Sequence, residues 1–157
     1  MLLRRTFNAT AVNRLLKEYY EDITDDTALP KAQFNVTEQV LDVRNYFLAL
    51  THHRKLVGCW VFYACGNRVY DSHICLEPSI RGKVAHEWQR KVWKYMFEVA
   101  NAKLLVATVP TTRPDVKRYA LRSGMKVTGR VGGWWKNGVD VGLHVMKLSA
   151  NRWEKEK

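Results

Sequence analysis

The chain of 157 residues has only 3 cysteines and 4 prolines, and its acidic residues (15) are far outnumbered by its basic ones (26). Each shortage excludes something. Three cysteines, Cys59, Cys65 and Cys75, lie on apolar segments without metal-type spacing, so neither a disulfide framework nor a zinc site is expected. Embedded thiols in odd number suit a reducing, cytoplasmic compartment and a core role. No apolar run approaches the roughly 20 residues that cross a bilayer, and the N-terminal MLLRRTFNATAV has no long apolar stretch of a secretory signal. No repeat, low-complexity tract or second domain is visible. No RNP-like, zinc-finger or helix-turn-helix pattern frames the 6 Trp and 7 Tyr.

What is present is apolar mass and positive charge. Hydrophobic residues make up 46% of the chain, enough for a core without staples. The net charge of +11 points to polyanionic company: nucleic acid, a phosphorylated cofactor or an acidic protein surface. Charge alone does not choose among them.

Periodicity divides the chain. Leu2 to Phe7 reads as a short edge strand. Ala9 to Ile23 reads as a helix, with Val12, Leu15, Leu16, Tyr19 and Ile23 on one face and Asn8 or Thr10 as its cap. Thr24 to Asp42 is acidic, broken by Pro30, and reads as a loop with a short helix. Three strands follow, Asn45 to Thr51, Leu56 to Cys65 and Val69 to Leu76, with Gly66-Asn67 as a hairpin turn. They are apolar on both faces, which predicts a sheet covered on both sides.

The most informative stretch is Val69 to Ala100. A strand runs through Glu77-Pro78 and the basic turn Arg81-Gly82-Lys83 into an amphipathic helix. Its buried stripe is Ala85, Trp88, Val92, Tyr95, Met96 and Val99. Free N–H groups at a helix start, beside two cations, make a physical anion site.

Lys103 to Val109 is a further strand. Thr112 or Arg113 opens a helix with Pro114 in its first turn, and the helix stops at Gly124. Met125 to Val131 is a strand, Gly132-Gly133-Trp134-Trp135 bends it, Asn137-Gly138 is a hairpin turn, and Val139 to Leu148 is the last strand. Residues 1–150 form the domain; Asn151 to Lys157 reads as a charged tail that frays.

The order strand, helix, weak helix, three meandering strands, helix, strand, helix, strand, strand resembles the GCN5-related N-acetyltransferase (GNAT) superfamily. Two local runs carry the resemblance. Leu76-Glu77-Pro78-Ser79-Ile80-Arg81-Gly82-Lys83 is similar to the family's exit from its fourth strand into the acyl-CoA loop. Ala120-Leu121-Arg122-Ser123-Gly124-Met125 is similar to the end of its late helix. The resemblance implies an α/β (mixed α+β) single domain, with helices on both faces of a splayed, mixed sheet of about seven strands. It also implies acetyl-CoA as acyl donor, an amine as acceptor, and late strands that often dimerise.

In that family the thioester arm lies where two parallel strands part, here the strands holding His73 to Leu76 and Leu104 to Val109. Ile74, Cys75 and Leu76 would hold the arm, and their backbone would stabilise the oxyanion. Arg81, Gly82, Lys83, Val84, Ala85 and His86 would take the pyrophosphate, and Arg113 stands at the family's common asparagine. His73 and Glu77 are possible bases. Asp71, His73 and Cys75 share one strand face by period two.

The chain also departs from the family pattern R/Q-x-x-G-x-G/A. Val84 replaces one glycine and His86 a small residue. Ala120 stands at the frequent proton-donor tyrosine, with Tyr119 about 100° away on the helix. Such a motif-degenerate site is similar to GNAT-like proteins encoded by tailed bacteriophages, some acetyltransferases and others virion or head-assembly proteins. Three functions therefore stand: acetyl-CoA-dependent N-acetyltransferase, GNAT-fold binding or assembly protein without catalysis, and basic nucleic-acid binder.

Overall fold

Continuous apolar runs on the central strands force this sheet to be covered on both faces. In a computed structural model describing residues 1–157, seven strands form one sheet in the order β1-β2-β3-β4-β5-β9-β6. They are β1 (Leu2–Arg5), β2 (Tyr46–His52), β3 (Lys55–Gly66), β4 (Val69–Leu76), β5 (Leu104–Pro110), β6 (Lys126–Val131) and β9 (Leu143–Ser149). The helices are α1 (Ala9–Glu18), α2 (Tyr20–Ile23), α3 (Thr37–Leu41), α4 (Lys83–Lys94), α5 (Pro114–Arg122) and α6 (Ala150–Glu156). No helix is long and apolar enough to cross a membrane.

Two apolar clusters sandwich the sheet. One joins Trp60 and Phe62 of β3 to Ala85, Val92, Trp93 and Met96 below them. The other joins Cys59 and Val61 of β3 to Val12, Leu15, Leu16 and Val40 of α1 and α3. Successive β3 residues thus serve opposite cores, the period-two geometry of a strand. The expected mixed α/β fold with a splayed sheet is what the chain adopts.

Every pairing is antiparallel except one. β4 and β5 run parallel, and only Val69, Tyr70 and Asp71 pair, with Leu104, Leu105 and Val106. Beyond Asp71 the strands part, while β4 stays paired to β3 as far as Leu76 and β5 to β9 as far as Pro110. The facing backbone edges of 72–76 and 107–110 therefore have no strand partner across the gap.

Several expectations need correction. The single helix over Ala9 to Ile23 breaks at Tyr19 into α1 and α2, with Asn8 accepting from the Ala11 amide as the cap. The turn between β3 and β4 is Asn67-Arg68, Arg68 holding φ 60°. The buried stripe of α4 does not run on to Val99, which is 67% exposed. Residues Tyr95–Val99 form a π-helix, closed by Ala100 N–H donating to Tyr95 O; Met96 is buried as the stripe expects, and in this wider turn Phe97 rather than Val99 joins it. Gln89 and Trp93 complete the buried face of α4.

The last strand is interrupted. Trp135–Lys136 and Val139–Asp140 make a separate two-stranded ribbon, β7 and β8, and β9 begins only at Leu143. Asp140 Oδ1 accepts from the amides of Gly133, Trp134 and Gly142, so the ribbon's base is tied by one carboxylate. The residues expected to fray, Asn151 to Lys157, are helical almost to the end. Ser149 caps α6, Trp153 is buried against Phe97, and Arg152 Nε donates to Gly124 O at 2.8 Å.

Candidate functional site

The parting of β4 and β5 opens a cavity of about 640 Å³ that passes through the sheet. On its α4 side it is walled by Trp60, Ile74, Ala85, His86, Gln89 and Tyr119. On its α1 side it is walled by Tyr19, Phe34, Tyr63, His73, Cys75 and Trp134. Period two along β4 decides the division: Ile74 and Leu76 join the α4 core, while Cys75 joins the α1 core.

One end of the cavity meets the start of α4. No side chain caps this helix, and the amides of Gly82 and Ala85, both on the cavity wall, have no backbone acceptor. Gly82 has φ 79° and ψ −131°, a conformation that turns the chain sharply into the helix and that glycine adopts without strain. Gly58 on β3 leaves space instead: a Cβ there would lie 2.7 Å from Leu76 Cδ2 and 3.0 Å from Ile80 Cδ1, so both side-chain ends would have to shift.

Arg81 donates from Nε to Leu76 O at 3.1 Å, and its guanidinium lies over Tyr19. Across the mouth, Arg113 stands just before α5 and pairs with Asp115 at 3.1 Å. Asp22 of α2 stands between these cations, 4.0 Å from each. Positive charge therefore flanks both strand ends, with one carboxylate facing it from the α1 side.

Below the sheet, buried Gln89 accepts from Trp60 Nε1 at 2.8 Å and from the Tyr119 hydroxyl at 2.7 Å. Since an indole can only donate, this fixes which amide atom is the oxygen, and Nε2 is left without a partner. The Ala85 carbonyl lies 3.3 Å from the same hydroxyl. Burial pushes the Tyr119 phenol well above its ordinary range. His86 lies against the Tyr119 ring, 4.6 Å between centroids, and burial, with Arg122 nearby, lowers its pKa.

Above the sheet, His73 Nε2 and Asp71 Oδ2 are 3.0 Å apart. A carboxylate on Nε2 leaves Nδ1 as the imidazole's acceptor. The Tyr63 ring stands edge-on to His73 at 5.5 Å, and its phenol is pushed up to about 12, chiefly by burial, with the Asp71 carboxylate adding to it. Cys75 is likewise pushed up to about 12 by burial, against the opposing pull of Arg81.

The rim is built from two distant segments. Asp25 Oδ2 accepts from Trp135 N–H at 3.2 Å, and Asp26 accepts from the amides of Asn137 and Gly138. Asp26 N–H donates to Trp135 O and Lys136 Nζ to Glu21 O, each at 2.8 Å. The acidic loop and the tryptophan ribbon thus form one wall, which brings Ile23, Phe34 and Trp134 to the cavity.

Of the residues singled out in the sequence, His73, Ile74, Cys75, Leu76, Arg81, Gly82, Ala85, His86, Arg113 and Tyr119 meet around this one cavity. Glu77, Lys83 and Val84 do not line it. Glu77 is paired with Lys55 at 2.7 Å, Lys83 is exposed, and Val84 packs on the α4-side core rather than filling the gap. Tyr19, Asp22, Tyr63 and Gln89 were missed. Gln89 carried a signal, a polar residue one turn beyond Ala85 on an apolar stripe. Tyr63 carried none without the β3–β4 register, which sets it opposite Asp71.

Comparison with known proteins places this geometry. A family model described as "Protein of unknown function (DUF2824)" matches residues 11–155, and the chain belongs to that family. No curated protein matches at the sequence level. Among solved structures, a point mutant of the spermidine N-acetyltransferase SpeG from Vibrio cholerae superposes with a TM-score of 0.80 at 13% identity, covering 100% of both chains. A mutant form described as spermidine/spermine N-acetyltransferase gives 0.80 at 14% identity, covering 99% of this chain and 96% of that one. The Vibrio cholerae enzyme in complex with CoA and spermine gives 0.73 at 14% identity over 98% and 97%. The fold is that of the GNAT proteins.

Proposed function

We propose that this member of the DUF2824 family transfers an acetyl group from acetyl-CoA to the nitrogen of an amine. One observation carries the reading: β4 and β5 separate after three paired positions and leave a through-sheet cavity that meets an uncapped helix start. A narrow thioester arm needs such a passage, and a pyrophosphate needs such amides.

The residues present fit that substrate. The unpartnered amides of Gly82 and Ala85, with Arg81 beside them, face the diphosphate, and Arg113 adds positive charge across the mouth. The unpaired edges of 72–76 and 107–110 offer hydrogen bonds to the arm and to the thioester oxygen. The acceptor comes from the α1 side. There the ammonium first gives one proton to water, His73 Nδ1 takes the second as the nitrogen bonds to the acyl carbon, and Asp71 orients the ring. The carbon–sulfur bond breaks, and the thiolate leaves to be protonated by water. Tyr119 serves as a wall of the arm's channel and Glu77 as the anchor of Lys55. The reading asks for no metal, virion protein, nucleic acid or second copy of the chain.

A second reading, binding on this fold without turnover, is favoured by Ala120 and by the Tyr119 hydroxyl being engaged by Gln89. One pair of measurements separates the two. Calorimetry with acetyl-CoA is expected to give heat, and thiol release with an amine panel is expected to follow. Heat without thiol release selects the binding reading. No heat and no thermal shift at millimolar acetyl-CoA removes both.

A further inference from the structure

The α1-side half of the cavity has a composition of its own. Tyr19, Ile23, Phe34, Val36, Tyr63 and Trp134 give it apolar and aromatic walls. Most carboxylates near it already have partners. Asp25 and Asp26 bind backbone amides of the ribbon, and Asp140 binds three amides at its base. Asp22 faces Arg81 and Arg113, and Asp71 holds His73. A flexible polycation needs several free carboxylates spaced along its length. These five, and Asp115 through its pairing with Arg113, already have partners. Glu18, in contact only with the Tyr19 hydroxyl, is a single charge where a polycation needs several, and the net charge of +11 repels it at long range.

We infer that the acceptor is a primary amine with a single positive charge on an aromatic or branched apolar body, and that polyamines are poor acceptors. The inference rests on the acyl-transfer reading only for which end of the ligand meets His73. The apolar walls take the body, as in most small-molecule pockets. The rings of Tyr63 and Trp134 suit one cation, which the ring quadrupole attracts, while Tyr19 already lies under Arg81. The amine then meets the Asp71–His73 pair on the neighbouring strand face. The wall is conditional on the fold: Phe34 and Trp134 come from segments a hundred residues apart, held by Asp25 and Asp26.

Calorimetric titration of the full chain with 2-phenylethylamine and, separately, with spermidine tests this without cofactor. The aromatic amine is expected to bind at least tenfold more tightly. Phe34→Ala is expected to weaken it at least tenfold, and Phe34→Leu to weaken it less, with thermal melts showing both variants folded. Phe34 is only half-buried, so folding is expected to survive either change. Spermidine binding as tightly as the aromatic amine overturns the inference. So does an aromatic-amine affinity unmoved by both Phe34→Ala and Trp134→Ala. Failure of acetyl-CoA to bind in its own titration overturns the acyl-transfer reading instead, and the ranking of the two amines still decides this one.

Discussion

Replacing Trp153 with alanine measures how firmly the last seven residues belong to the fold. The side chain is 8% exposed, and its ring stacks on Phe97 at 5.8 Å and 18°. Truncating a core tryptophan to alanine costs about 3–5 kcal/mol. One feature lowers the cost here. The indole N–H is buried without a partner, so removing it relieves a penalty of about 1 kcal/mol. The expected loss is therefore about 2–4 kcal/mol. For a chain of this size each kcal/mol moves the melting point by about 2–4 °C, so Tm should fall by roughly 5–15 °C. Trp153→Phe keeps an aromatic ring to stack and drops the orphaned donor; it should stay within about 1.5 kcal/mol of wild type. Urea unfolding followed by circular dichroism, with parallel melts, reads both variants. The loss matters for the site because α6 follows directly from β9, whose pairing with β5 builds one wall of the gap. A Trp153→Ala protein within about 0.5 kcal/mol of wild type would refute the docking of α6 and leave the segment a loose tail.

Other consequences follow from the same geometry. His73→Ala should lower kcat for acetyl transfer by about 10²–10⁴-fold with a smaller change in KM, and Asp71→Asn should fall between it and wild type; an unchanged kcat would move the base elsewhere. Thiol titration of the native chain at pH 8 should find one fast cysteine, exposed Cys65, and three after unfolding, because burial raises the Cys59 and Cys75 pKa values and keeps both as thiols. Fast modification of Cys75 in the native state would show that its side of the cavity is open. The hydrogen bonds from Thr27 and from the Trp135 amide lower the Asp25 pKa. A lowered folded-state pKa contributes stability that is full above the unfolded value of about 3.9 and is lost as pH falls through the folded one. Docking of the ribbon should therefore weaken below about pH 4, read as increased exchange of the Trp135 amide, and Asp25→Asn should remove that pH dependence.

The elements legible in the sequence were those whose signal is local. β4 spans Val69–Leu76 as its apolar run predicts, and Pro114 with Gly124 brackets α5. The face shared by Asp71, His73 and Cys75 needed only the two-residue period. Misreadings fell where a distant partner overrode local preference. The helix over Ala9 to Ile23 breaks at Tyr19, whose ring lies under the Arg81 guanidinium from the turn before α4. The strand from Val139 breaks because Asp140 is recruited by three amides around Gly133. The charged tail is helical because a single tryptophan in it finds Phe97. Val84 stands where the resemblance wants glycine, yet its side chain turns to the core, a direction that only packing sets.

By itself the sequence determined that this is one apolar-cored basic domain, that its central strands are buried on both faces, and that a basic glycine turn opens a long helix after the fourth strand. Those properties follow from composition and from periods of two and 3.6 residues, which each short segment carries alone. Tertiary structure decided that β4 and β5 separate after Asp71, that Gln89 fastens Tyr119 to Trp60, and that the acidic loop meets the tryptophan ribbon to wall the cavity. Each of these joins groups remote along the chain, and such contacts form only when the whole core settles on one packing.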